Sequence, residues 1–203
     1  SREDASELAI VGSGVQARSH LAALSRVRPI KRTRVVSKNR QHADRFVAEM
    51  KGRFSCEIVA VDTAKEALNG ADVIVTVTNS HEPVIDRQWI STGAHINAIG
   101  THSAAAREID SPTMAAARLY VDRRESALNE SGDFVLAIKE GLISADSIIA
   151  EIGEVLIGTK RGRESTEEIT LFKSLGLAVE DLACAEYLFR KAQEEGTGTW
   201  VRF

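Results

Sequence analysis

The segment Gly12-Ser13-Gly14-Val15-Gln16-Ala17 holds the residue types best suited to chemistry at a phosphate. Two glycines one residue apart at the start of a helix leave backbone N–H groups open to an anion. In a dinucleotide fingerprint, Gly12 permits the tight turn and Gly14 lets the pyrophosphate approach the backbone. Ala17 then keeps the helix close to the sheet. A plain glycine turn between strand and helix has the same composition, so the flanks carry the argument. An apolar strand over 8–11 precedes the motif and an amphipathic helix over 15–27 follows it, which is the context the fingerprint demands.

The end of the second strand is also informative. NAD-binding domains usually place Asp or Glu there, about 20 residues on, for the ribose hydroxyls. This chain has Ser37-Lys38-Asn39-Arg40, and the first acid afterwards is Asp44. Ser37, Lys38 and Arg40 offer hydrogen bonds and positive charge to a 2′-phosphate that a carboxylate would repel. The expected cofactor is therefore NADP(H) in preference, with NAD(H) possible. The alternative is that Lys38 and Arg40 only solvate a loop.

Two further turns should face the same ligand, because open α/β sheets bind beyond the carboxyl ends of their strands. They are Thr78-Asn79 and Gly100-Thr101-His102. His102 is the titratable group of its turn and a candidate acid/base or substrate contact. A solvent-facing loop histidine is the other reading. His20, His42, His81 and His95 show no metal-ligand spacing, and no metal is expected.

These residues must be positioned by elements. Short β-branched runs between turn signals predict strands over 8–11, 32–36, 57–61, 71–78, 94–99 and 119–122. Helical periodicity predicts helices over 15–27, 41–50 and 64–68. Past residue 124 helices are expected over 131–141, 148–158 and 177–195, with a possible strand over 169–173. The alternation predicts an α/β fold: a Rossmann-type doubly wound parallel sheet with a C-terminal helical extension.

Composition excludes other classes. With 203 residues, 43% hydrophobic and 27% charged, the chain can supply an ordinary globular core. A net charge of −3 gives no reason to expect nucleic acid. No apolar run approaches the roughly 20 residues of a spanning helix, so neither a membrane nor a secretion signal is expected. Two isolated cysteines, Cys56 and Cys184, make no disulfide framework, and a cytoplasmic location is the default.

Several segments together resemble the ornithine cyclodeaminase/mu-crystallin family. They are the run 10–17 with Ser19-His20; Gly70-Ala71-Asp72-Val73-Ile74; Gly93-Ala94-His95-Ile96-Asn97-Ala98-Ile99-Gly100; and Tyr120-Val121-Asp122. Glu130-Ser131-Gly132-Asp133 and Phe172-Lys173-Ser174-Leu175-Gly176 with Glu180-Asp181 complete the set. The resemblance implies that Ser13, Val15 and Gln16 contact the pyrophosphate. Ser37, Lys38, Asn39 and His42 would surround the 2′-phosphate. Thr78, Asn79, Ile99, Thr101 and Ser174 would approach the nicotinamide.

Cyclodeaminases of the family carry an acidic catalytic residue where this chain has His102. That substitution favours the relatives that reduce cyclic ketimines or pyrroline carboxylates, or that dehydrogenate small amino acids. The expected function is thus NADP(H)-dependent hydride transfer at the C=N carbon of an imino or amino acid. An ornithine-type cyclodeaminase and a non-enzymatic dinucleotide-dependent binding protein are the alternatives. Family members also carry a substrate-binding and dimerising portion before the nucleotide fold. The resemblance therefore implies a piece of a longer, homodimeric protein. Within it, residues 1–130 would form the Rossmann core, and 131–203 a helical extension completing the nucleotide domain and packing toward the substrate domain.

Overall fold

A computed structural model describes residues 1–201. Among them the chain forms one eight-stranded sheet in which every pairing is parallel. The strands are β1 (Glu7–Val11), β2 (Arg32–Val36), β3 (Glu57–Ala60), β4 (Val73–Thr76), β5 (His95–Ala98), β6 (Arg118–Val121), β7 (Ile148–Glu151) and β8 (Thr170–Lys173). Their order across the sheet is β3-β2-β1-β4-β5-β8-β6-β7. The helices are α1 (Val15–Val27), α2 (Arg40–Met50), α3 (Ala64–Leu68), α4 (Ser111–Ala116), α5 (Arg124–Glu130), α6 (Gly132–Lys139), α7 (Ile152–Leu156) and α8 (Ala178–Glu195). The expected doubly wound Rossmann-type architecture is present.

Each face of the sheet has its own apolar cluster. Leu8 and Ile10 of β1, Val35 of β2 and Val73 and Val75 of β4 pack with Ala17 and Leu21 of α1 and Ala43, Phe46 and Met50 of α2. On the opposite face Ala9, Ile74, Ile96, Leu119 and Leu171 pack with Leu68, Met114, Ala127 and Phe134 from α3 to α6. Covering on both faces explains why β4 reads Val-Ile-Val-Thr with every residue buried. α1 stops before Pro29, which cannot donate to the helix. Asn39 caps α2 by accepting from the Gln41 N–H, and Thr63 caps α3 by accepting from Glu66.

The second half differs from the sequence expectation. The run 148–158, expected as one helix, splits into β7 and the short α7. Burial along β7 alternates, with Ile148 and Ala150 inside, and a short apolar run does not by itself distinguish the two periods. Helices α4 and α5 were not expected at all. The segment after residue 130 is not only helical: β8 lies between β5 and β6, so it is an interior strand of the same sheet. The division at 130 therefore runs through one sheet. Helix α8 buries none of its residues.

Candidate functional site

A cleft of about 840 Å³ opens along the carboxyl ends of β1, β2, β4, β5 and β8. The glycine motif forms one wall. Gly12 has φ of 109°, and a Cβ there would stand 2.6 Å from the Val77 carbonyl oxygen. Only glycine fits that turn. Gly14 is the N-cap of α1, and a Cβ there would meet nothing within 4 Å. The motif thus leaves open space where a diphosphate would reach the backbone, and a dinucleotide fits this wall.

Arg18, one turn into α1, braces the loop. Its Nη1 donates to the Ser13 and Gly14 carbonyls at 2.8 Å each, while Glu49 of α2 holds the rest of its guanidinium. The group also sits 5.3 Å over the Phe46 ring. The loop carbonyls are thereby engaged by a cation.

Past β2, Ser37, Lys38 and His42 line the cleft as expected, and Ser13 and Gln16 do so across from them. Asn39 does not: its side chain is spent on the α2 cap. Arg40 lies outside as well. Its Nε donates to Asp44 at 2.8 Å, and Asp62 takes its Nη1. Arg45 lines the cleft instead and forms no ion pair among the described residues. It follows His42 by three residues and so shares its helix face. Val15 points to solvent at 82% exposure, because it begins α1 on the outer side.

The other end of the cleft is built by β4, β5 and β8. Thr78, Asn79, Ile99, Gly100 and His102 line it, and His102 is exposed. Thr101 is buried and does not line it; its carbonyl accepts from Lys173 at 2.9 Å. A Cβ on Gly100 would lie 2.1 Å from the Thr78 oxygen, so the two strand ends touch there. Glu108 joins them. Its carboxylate accepts from the Thr78 N–H at 2.6 Å, the Gly100 N–H at 2.7 Å and the Thr76 hydroxyl at 2.9 Å. Burial pushes the Glu108 carboxyl up, and these donors only partly offset it.

Asp122 shapes the β8 turn. One of its oxygens accepts from the Leu175 and Gly176 N–H groups at 2.6 and 2.7 Å and from the Ser174 hydroxyl at 3.3 Å. Ser174 is thus held at the cleft wall beside Phe172. Arg18, His20, Arg45, Phe172 and Gly176 were not among the expected site residues. The helical spacing of Arg45 from His42 was a usable signal. Glu108 carried none, since its partners lie 8 to 32 positions away.

The lining as a whole is one-sided in charge. Among the described residues it includes Arg18, Lys38, Arg45 and three histidines, and no Asp or Glu. That suits a polyanionic ligand.

The sequence profile of the ornithine cyclodeaminase/mu-crystallin family matches residues 1–196. The chain belongs to this family. A family relative, the Δ1-pyrroline-2-carboxylate reductase of Bacillus thuringiensis subsp. konkukian, is 38% identical over 203 residues, covering 100% of this chain and 62% of that protein. Mouse ketimine reductase mu-crystallin is 41% identical over 182 residues, covering 90% of this chain and 54% of its own length. The Δ1-pyrroline-2-carboxylate reductase of Thermococcus litoralis, solved with NADH and L-proline, superposes with a TM-score of 0.96 at 43% identity. That match covers 99% of this chain and 62% of the Thermococcus chain. The present chain therefore spans less than two thirds of these family members.

Proposed function

We propose that this chain is the dinucleotide-binding part of an imine reductase that prefers NADP(H) and accepts NAD(H). The observation that carries the reading is the acid-free cleft, with the glycine loop on one wall and cations beyond β2. In this reading Ser37, Lys38, His42 and Arg45, which line the cleft past β2, would receive a 2′-phosphate, and Ser13, Gly14 and Gln16 the diphosphate. Thr78, Asn79, Ile99 and Ser174 form the opposite end. A reduced nicotinamide bound there would supply hydride to the C=N carbon of a small cyclic imino acid. The imine nitrogen must also gain a proton, and His102 is the titratable side chain at that end.

The similarity to pyrroline-carboxylate and ketimine reductases supports the substrate class. Histidine in the position where cyclodeaminases carry an acid favours reduction over cyclodeamination. We place the reductase in the cytoplasm as a homodimer; no helix of the described residues is long and apolar enough to cross a membrane.

Calorimetric titration with NADPH and with NADH tests the cofactor assignment. NADPH is expected to bind more tightly. Lys38→Ala or Arg45→Ala should each weaken NADPH about tenfold, as expected for one charge-assisted contact, and leave NADH unchanged. Tighter NADH binding overturns the 2′-phosphate assignment. In the complete protein, His102→Ala should lower kcat for Δ1-pyrroline-2-carboxylate reduction about a hundredfold with NADPH affinity retained. Ammonia release from ornithine without net cofactor change would instead establish cyclodeamination. Dinucleotide binding without turnover on a panel of imines would establish a binding protein.

A further inference from the structure

Beneath the floor of the cleft, three ionisable side chains are fully buried: Glu108, Asp133 and Lys173. Buried charges cost several kcal/mol each unless they are paired and hydrogen-bonded, so their partners show what holds them there. Lys173 Nζ lies 3.0 Å from one Asp133 oxygen and donates to the Thr101 carbonyl at 2.9 Å. The other Asp133 oxygen accepts from the backbone N–H groups of Glu108 and Ile109 at 2.9 and 3.0 Å. The Glu108 carboxylate in turn holds Thr76, Thr78 and Gly100.

The parts of the cleft wall that this network grips belong to one end of it. Thr78 and Gly100 line it, and Thr101 precedes His102. None of these hydrogen bonds reaches the glycine loop or the residues after β2. Lys173 is balanced by Asp133, whereas the Glu108 carboxylate faces only N–H and O–H donors. Its two oxygens accept three donors, a set that a glutamine, with one acceptor oxygen, cannot serve. A carboxylate at this position thus bridges the segments that leave β4 and β5.

We propose that Glu108, anchored by Asp133 and Lys173, is a positioning residue for the nicotinamide end of the cleft. It sets Thr78, Gly100 and the turn bearing His102 without contributing to the adenosine end. The inference rests on the dinucleotide reading above and deepens it. Two probes separate the ends: 2′,5′-ADP, which occupies only the adenosine side, and NADPH, whose nicotinamide emission reports the other side.

Thr76→Val removes one donor to Glu108 at nearly constant shape, and Thr76→Ser keeps the hydroxyl. Thr76→Val should weaken NADPH about tenfold and shift its bound emission, with 2′,5′-ADP affinity within about twofold of wild type. Thr76→Ser should restore wild-type NADPH binding and emission. Glu108→Gln should show the same split more strongly; if it fails to fold, the Thr76 pair decides. Equal loss of both ligands, or unchanged NADPH binding and emission in Thr76→Val, overturns the positioning role. Wild-type protein that binds neither probe nor NADH removes the dinucleotide reading and this inference together; if only NADH binds, NADH and ADP replace the two probes in the same comparison. Wild-type binding of both probes without a split removes the positioning role alone.

Discussion

At the scale of single residues, the glycines divide into those the fold needs and those the proposed ligand would need. A side chain at Gly12 or Gly100 would collide with backbone, at 2.6 Å from the Val77 oxygen and 2.1 Å from the Thr78 oxygen. Gly14 has open space around it. Its φ of −80° is one that alanine adopts freely. Gly14→Ala should therefore cost no more than about 0.5–1 kcal/mol, because alanine ranks below glycine at an N-cap. It should nevertheless weaken NADPH severalfold or more, because its methyl occupies the space reserved for the diphosphate. Thermal melting and titration of the same sample check both halves, and unchanged affinity would refute the role given to the open space. Gly100→Ala should do the reverse first: its melting temperature should fall, since backbone rather than a flexible side chain must move.

At the scale of elements, Asp72 ties the N-terminal residues to the start of β4. One of its oxygens accepts from the Ser6 and Glu7 N–H groups at 2.8 and 3.0 Å, and the other pairs with Arg2. Burial pushes its carboxyl up, but the two N–H donors and the Arg2 guanidinium outweigh that and hold it below the ordinary carboxylate value. A lowered folded-state pKa means stabilisation that is fully present above the unfolded value of about 3.9 and is lost as pH falls through the folded one. Asp72→Ala should cost about 1.5–3 kcal/mol at neutral pH, the range for hydrogen bonds to a charged group. The gap from wild type should close as pH drops below about 4. Denaturant unfolding across pH measures it, and a gap that persists in acid would assign the cost to packing instead.

At the scale of the whole molecule, α8 stands apart from the two cores. Val179, Leu182, Tyr187, Leu188 and Phe189 are all more than half exposed on it, with Phe189 in edge contact with Trp200 at 6.2 Å. Apolar surface of this extent promotes association. The 203-residue chain should therefore show concentration-dependent self-association in sedimentation despite its net charge of −3. The double variant L182E/F189E should shift it toward monomer without altering NADPH affinity, since α8 does not line the cleft. A wild-type monomer at high concentration would refute this.

What was legible in the sequence was what neighbouring residues encode. Strand and helix periods appear within a few residues, so the first six strands and the glycine motif could be placed from the chain alone. The absence of an acid after β2 and the presence of Ser37, Lys38 and His42 are equally local. Tertiary structure decided what depends on distant partners. Arg40 left the site because Asp62, 22 residues on, captures it. Ser174 entered the cleft wall because β8 pairs between β5 and β6, a choice among strands that periodicity does not encode. Glu108, Asp133 and Lys173 look like surface charges in the sequence. Only folding brings hydrogen-bond partners from 8 to 72 positions away to bury them, and a buried charge is tolerated only where such partners converge.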